Sequence, residues 1–167
     1  MDQAFVISAW GLTVITATVL WLNRPLTPPS NVPENDGLGP GLRFPFSLIV
    51  DRLDPTQRET IQKAKRVAIL IAAPSCGTCR PILQALPDLT RSHPDTPLVV
   101  LLFGERDIVE SAKVEYRLST PTFAYTAALE RALDTHFLPT LYIVGADERI
   151  VEKSILHSTD ELGTLLA

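Results

Sequence analysis

The chain has 167 residues, a mass of 18.3 kDa, 46% hydrophobic residues and a formal net charge of −4. This length supports one core of ordinary size, so we expect a single folded domain. A pI near 5.3 without a lysine and arginine cluster argues against nucleic acid as a partner. Two cysteines cannot form a disulfide framework, and without suitably spaced histidines they cannot complete a four-ligand zinc site.

Residues 4–22, "AFVISAWGLTVITATVLWL", form an apolar stretch without a charged residue. As a helix it would span roughly 28 Å, close to the thickness of a membrane hydrocarbon core. Asp2 in place of a positive start, and the length of the stretch, argue against a cleaved signal peptide. Its few serines and threonines do not form the polar stripe of a core helix. We therefore predict one N-terminal transmembrane helix that contacts membrane lipid.

Residues 23–43, "NRPLTPPSNVPENDGLGPGLR", are rich in proline and glycine. Such a composition favours an extended, semi-rigid linker over a packed core. The folded domain is then predicted over residues 44–167.

The first half of this domain alternates between strand and helix patterns. "FSLIVDRL" is predicted as a strand, "DPTQRETIQKAK" as an exposed helix or turn, and "RVAILIAA" as a strand buried on both faces. A helix is predicted from about Cys76 to Ser92, followed by the buried strand "PLVVLLF".

The second half continues with a covering helix, "ERDIVESAKVEYRL", whose apolar side has Ile108, Val109, Ala112 and Tyr116. A short apolar piece "PTFAYT", a helical turn "AALERALDTHF" and a hairpin "PTLYIVGADERIVEKSIL" follow. A final helix starts after Ser158 or Thr159 as its N-cap. The order predicts an α/β domain with a mixed central sheet covered by helices on both faces.

Both cysteines lie in "AAPSCGTCRP", directly after the predicted buried strand. A helix that opens at Cys76 would offer unpaired N–H groups and its positive dipole end to a thiolate. We expect Cys76 to be the exposed attacking thiol and Cys79, one turn later and more buried, to be the resolving thiol. Gly77 and Thr78 are the spacers that partly set the redox potential. The redox-active Cys76–Cys79 disulfide needs no further cofactor, and no metal site is predicted within one chain, although two chains could share four thiolates.

Two segments, "RVAILIAAPSCGTCR" and "FLPTLYIVGADERIV", resemble the active-site strand with its motif and the proline-hairpin segment of the thioredoxin superfamily. The resemblance covers roughly residues 44–167. The anchor and the spacing between the segments are similar to the exported TlpA and ResA type. The form "PSCGTC", without a tryptophan before the first cysteine, is most similar to the MauD accessory proteins associated with methylamine dehydrogenase maturation.

The resemblance implies a thioredoxin-like fold in which the Leu138–Pro139 bond is cis and faces the cysteines. The backbone of Leu138 would then hold an extended substrate segment through strand-like hydrogen bonds. Pro121 is a competing candidate, which we reject because a helical stretch follows soon after it, whereas Pro139 is followed by the hairpin and last helix that the superfamily has. Either proline could instead be a trans residue at a strand start. Ser75 stands where the superfamily often has tryptophan, so one apolar wall of the substrate surface is missing.

Two further positions bear on proton transfer. Many thioredoxins have an acidic residue six positions before the first cysteine, but this chain has Leu70, so the proton must pass to water or another group. His136 either approaches the dithiol or is a surface histidine.

The main hypothesis is a membrane-tethered thiol–disulfide oxidoreductase that reduces or isomerises disulfides in client proteins, with a membrane electron donor and a role in maturing an exported enzyme. The alternatives are a metallochaperone that binds a soft metal ion through the two thiolates, and an assembly factor that mainly docks a client. Arg24 alone favours a domain inside the cytoplasm by the positive-inside rule. Disulfides persist outside it, and we expect the C-terminal domain in the periplasm or an equivalent lumen.

Overall fold

The computed structural model describes residues 36–167, which form one five-stranded sheet with helices on both faces. The strands are β1 Arg66–Ala72, β2 Leu98–Leu102, β3 Thr122–Ala124, β4 Thr140–Gly145 and β5 Ile150–Ile155. The helices are α1 Ser47–Val50, α2 Pro55–Lys63, α3 Cys79–Ser92, α4 Arg106–Glu115, α5 Ala127–Leu133 and α6 Thr159–Leu166.

The sheet is mixed, with strand order β3-β2-β1-β4-β5. Strands β1, β2 and β3 run parallel, whereas β4 is antiparallel to both β1 and β5. Because β1 and β2 have helices over both faces, their side chains are almost all buried and their sequences read as continuous apolar runs. The predicted mixed sheet with helices on both faces is confirmed.

Alternating side chains of the strands divide the core into two layers. One layer, which includes Leu70 and Val100, packs against α3, α4 and α6. The other layer, which includes Ile69 and Tyr142, packs against α1 and α5. The sheet is therefore fixed from both sides, and α3 is held against it next to the end of β1.

The predicted strand over "FSLIVDRL" is wrong, because the segment forms the single helical turn α1. Pro45 and Phe46 offer their carbonyls to the amides of residues 48–50, which closes the turn. This turn places Ile49 in the core at 1% exposure and keeps Ser47 outside. Tertiary packing thus overrides the strand propensity of the Leu-Ile-Val run.

Three smaller differences concern helix and strand bounds. Helix α3 begins at Cys79 and not at Cys76, because residues 77 and 78 form a turn. The piece "PTFAYT", for which no strand was predicted, contains the edge strand β3. Ile108 was predicted on the buried side of α4 but is 47% exposed, since it lies in the first turn, where it covers Gly104 and not the core.

The end of the predicted linker contacts the domain. Asp36 is 4% exposed, and the Leu38 amide donates to the Leu133 carbonyl at 3.2 Å. The backbone of Arg43 forms an isolated antiparallel β-bridge with that of Arg149. The predicted transmembrane helix over residues 4–22 lies outside the described residues. Within 36–167, no helix has the length and apolar character needed to cross a membrane.

Candidate active site

The loop between β1 and α3 carries both cysteines. The amide of Cys76 donates to the Ala73 carbonyl at 3.0 Å, and the amide of Arg80 donates to the Cys76 carbonyl at 3.2 Å. The Arg80 side chain is exposed and its Nε donates to the Pro74 carbonyl at 3.1 Å. These bonds fix the loop from both sides of the motif, and the guanidinium of Arg80 holds the loop from the solvent side.

The two thiols are free and differ in exposure. Cys76 is partly exposed, whereas Cys79 is 0% exposed. The backbone N–H of Cys79 donates to the Cys76 sulfur at 3.3 Å. Such a donor at the first turn of a helix stabilises a charged sulfur more than a neutral one. The partly exposed Cys76 sulfur therefore lies against the start of α3, next to the buried Cys79.

Burial raises the pKa of the Cys79 thiol from 9.0 to about 12. A hydrogen bond with the Ala73 backbone acts in the opposite direction, and contact with Cys76 raises the pKa further. The thiol of Cys79 is thus protonated at neutral pH, and it must lose this proton before it can act as a nucleophile.

The loop before β4 lies beside the cysteines because of the strand pairing. In the antiparallel register between β1 and β4, Ile71 faces Thr140, so the start of β4 lies next to the end of β1. The Leu138–Pro139 peptide bond is cis, as the resemblance implies, and Pro139 is buried. The Leu138 carbonyl oxygen lies 4.0 Å from the Cys76 sulfur. The backbone of this loop and the attacking thiol therefore share one surface.

The other candidate residues have different surroundings. Leu138–Pro139 is the one cis peptide bond among residues 36–167, so Pro121 is trans. Ser75, Gly77 and Thr78 are exposed on the motif loop. The structure brings all three next to the cysteines, and their roles toward a client and in setting the potential remain predictions.

Neither of the two positions named for proton transfer, His136 and Leu70, is arranged as a proton acceptor for the cysteines. The His136 ring is exposed and pairs with Asp134 at 3.2 Å, which matches the surface alternative. Leu70 is 0% exposed and has no group that could accept a proton. The proton acceptor, water or another group, stays open.

Sequence reasoning missed two residues that contact the loop before Pro139. Asp36 Oδ1 accepts the His136 N–H at 2.7 Å, and Thr140 Oγ1 donates to the Phe137 carbonyl at 2.7 Å. Asp36 lies 100 residues before its partner in a segment without a periodic pattern, so the sequence gives no signal for it. Thr140 was visible in the proline motif, but its hydroxyl bond depends on the loop conformation.

The fold is similar to that of solved thiol–disulfide oxidoreductases. A secreted disulfide oxidoreductase from Mycobacterium tuberculosis, homologous to E. coli DsbE, shares 16% identity over 61% of this chain and 80% of that chain, with a TM-score of 0.53. StoA from Bacillus subtilis shares 16% identity over 63% and 84%, with a TM-score of 0.55. A thiol:disulfide interchange protein of the thioredoxin family from Chlorobium tepidum TLS shares 16% identity over 63% and 79%, with a TM-score of 0.55.

No protein-family model and no curated protein matches the sequence. At the identities given above, the similarity to solved structures establishes the fold. The described part of the chain has the thioredoxin-like α/β fold and carries a CxxC dithiol beside a cis proline.

Proposed function

We propose that the chain is a thiol–disulfide oxidoreductase that acts on disulfides of client proteins through Cys76 and Cys79. One observation carries the proposal: a partly exposed sulfur accepts a helix N–H, has a buried second thiol next to it, and lies 4.0 Å from the Leu138 carbonyl oxygen. The similarity of the fold to solved disulfide oxidoreductases supports the same activity.

The proposed reaction transfers two electrons from the dithiol to a client disulfide. The Cys76 thiolate attacks one client sulfur, which breaks the client S–S bond, forms a mixed disulfide and releases a client thiolate that takes up a proton. Cys79 loses its proton to water and attacks the Cys76 sulfur, which breaks the mixed disulfide, forms the Cys76–Cys79 bond and releases the second client thiolate. Oxidation of a client dithiol is the same sequence in reverse.

The backbone at Leu138 holds the client in this proposal. An extended client segment would add its main-chain hydrogen bonds to the loop before β4, with its disulfide above Cys76. Ser75 leaves the neighbouring surface small and polar, which favours a client with a bulky residue next to its cysteine. Gly77 and Thr78 contribute to the reduction potential.

The setting of the activity follows from the N-terminal segment. A membrane helix over residues 4–22, with a linker that ends before the buried Asp36, would tether the domain at a membrane, where a membrane electron donor can renew the dithiol. We place the domain outside the cytoplasm because disulfides persist there. Maturation of an exported enzyme, as in the MauD-like interpretation, is the proposed role.

The first test is disulfide exchange by the full chain. Reduced protein is mixed with a peptide that carries one disulfide, and the released thiols are counted over time. Wild type is expected to reduce the peptide disulfide. Cys76→Ser is expected to do so at least a hundredfold more slowly, because the attacking sulfur is lost. Full activity of Cys76→Ser would overturn the proposal.

The soft-metal alternative is tested on the same reduced protein. Among residues 36–167, no three His, Cys, Asp or Glu side chains are grouped so that they could hold a metal ion. Titration with Cu(I) against a competing chelator is expected to show no tighter binding than a free dithiol peptide. Much tighter binding, lost in Cys79→Ser, would favour the metallochaperone.

A further inference from the structure

A buried ion pair contacts the loop between α5 and β4 and has no part in the exchange steps above. Lys153 Nζ contacts Asp36 Oδ2 at 2.9 Å, and the two side chains are 4% and 1% exposed. The Lys153 Nζ also lies 5.7 Å from the centroid of the Tyr142 ring. Burial of two charges carries a desolvation penalty that good pairing only offsets, so the pair gives little net stability. Its placement therefore calls for another explanation.

The other carboxylate oxygen of Asp36, Oδ1, contacts the loop between α5 and β4, which contains the cis Pro139 and is called the proline loop below. Oδ1 accepts the N–H of His136 at 2.7 Å, three residues before Pro139. Lys153, on β5, fixes the other oxygen, so the carboxylate cannot rotate away from His136. Thr135, the preceding residue, is held by its hydroxyl, which lies 2.8 Å from the Tyr142 hydroxyl.

The loop between α5 and β4 is thus held at both ends. Asp36 and Tyr142 hold residues 135 and 136, and Thr140 holds the Phe137 carbonyl. Between these points lies Leu138, whose carbonyl faces the Cys76 sulfur. A hydrogen bond to a carboxylate is stronger than one to a neutral acceptor, which suits a contact that must fix a backbone position.

We propose that Asp36 is a positioning residue for the client-binding loop: its carboxylate, oriented by Lys153, holds the His136 amide and so keeps the Leu138 backbone in register with Cys76. This inference rests on the proposed oxidoreductase function. It predicts that Asp36 matters for extended clients, which bind the loop backbone, and not for small disulfides, which need only the exposed sulfur.

Two double variants separate the hydrogen bond from the ion pair. Asp36→Asn with Lys153→Gln removes both charges and keeps an oxygen that can accept the His136 N–H. Asp36→Ala with Lys153→Gln removes the charges and the acceptor. Asp95→Ala with Lys65→Met removes an exposed acid and an exposed base that lie before β2 and β1, at the other end of these strands from the cysteines, and serves as the control.

Each full-chain variant, reduced, is mixed with a disulfide-bonded peptide at increasing concentration and, separately, with 5,5′-dithiobis(2-nitrobenzoic acid). The variant without the acceptor is expected to need roughly ten times more peptide for half-maximal rate, with less than a twofold change toward the small disulfide. The variant with the amide acceptor is expected to lose clearly less than the variant without an acceptor, because it keeps a weaker hydrogen bond to the His136 N–H, and the control is expected to stay near wild type. Equal losses in both double variants, equal losses on both substrates, or no loss in either would overturn the proposal.

Hydrogen exchange of the His136 amide gives a readout that needs no activity. In the wild-type chain this amide is expected to exchange at least tenfold more slowly than the Phe137 amide, because Asp36 holds it. Exchange as fast as that of a free amide would overturn the positioning role, even if the variants fail to fold. A wild-type chain with a protected His136 amide and no disulfide exchange would reject the proposed function and leave the loop contact standing.

Discussion

Cys76 and Cys79 are separated by two residues on a turn that leads into α3, and their environments differ strongly. The first sulfur is partly exposed and accepts a backbone N–H, whereas burial raises the pKa of the second to about 12. In the proposed reaction, a mixed disulfide forms at Cys76, and Cys79 must lose its proton before it can resolve that disulfide.

This division predicts the behaviour of Cys79→Ser. Without the resolving thiol, the mixed disulfide between Cys76 and a client peptide should accumulate to nearly one equivalent. Non-reducing mass spectrometry of the full chain would show the added peptide mass. Wild type should show less than a tenth of this adduct under the same conditions, and an adduct that is as abundant in wild type would contradict the assigned roles.

The same thiol predicts a loss of stability at alkaline pH. In the unfolded chain Cys79 ionises near its ordinary pKa of 9.0, whereas in the fold its pKa is about 12. Between these values the unfolded chain has lost a proton that the folded chain keeps, so the free energy of unfolding falls as the pH rises. The stability that the protonated Cys79 contributes is fully present below pH 9. Above pH 9 the free energy of unfolding falls by at most about 1.4 kcal/mol per pH unit.

Urea unfolding of the reduced chain at several pH values between 8 and 11 measures this loss. Burial also raises the pKa of Tyr125 to about 12, so wild type must be compared with Cys79→Ala, which keeps the tyrosines. The expected result is a steeper decline in wild type than in the variant. Parallel declines would show that Cys79 does not titrate differently in the fold.

At the scale of elements, the segment before α1 fits tightly at Gly37. Its φ is +64°, and a Cβ there would lie 2.6 Å from the Tyr142 hydroxyl and 2.8 Å from the Leu133 carbonyl. Gly37→Ala is therefore expected to destabilise the chain by about 2 kcal/mol or more, measured by urea unfolding. Gly39→Ala is the control, since nothing lies within 4 Å of its Cβ position, and its effect should stay below about 0.5 kcal/mol. Equal effects would mean that this segment does not pack on the domain.

The sequence predicts best the strands that are continuous apolar runs and the helix that begins at a recognisable N-cap. Strands β1 and β2 read as apolar runs because helices cover both of their faces, and Ser158 caps α6 by accepting the Glu161 amide, as one of the two expected caps. The run before α2 has the same apolar character over fewer residues. This run forms the helical turn α1 because Ile49 packs into the core, and a tertiary contact of this kind cannot be read from the local sequence.

Strand β3 escaped prediction for a related reason. It has three residues and pairs on one side only, with β2. A strand of this length has too few alternations to show a period, so its pairing with β2 defines it.

In the whole molecule, the candidate site lies in the middle of the sheet, at the strand ends where β1 stops and β4 begins. The motif and the proline could be found in the sequence because their chemistry is local: two thiols at fixed spacing, and a proline before a strand. The contact between Asp36 and the proline loop could not, because it joins residues 100 positions apart. It also fastens the end of the predicted linker to the loop that faces the thiols.

The reduction potential of the Cys76–Cys79 pair decides whether the two thiols work as one redox couple. The full chain is equilibrated in glutathione or dithiothreitol buffers of known potential, and free thiols are counted at each point. We expect one reversible two-electron transition between roughly −270 and −120 mV, absent in Cys76→Ser. Two thiols that titrate independently, or never form a reversible disulfide in this range, would contradict the account.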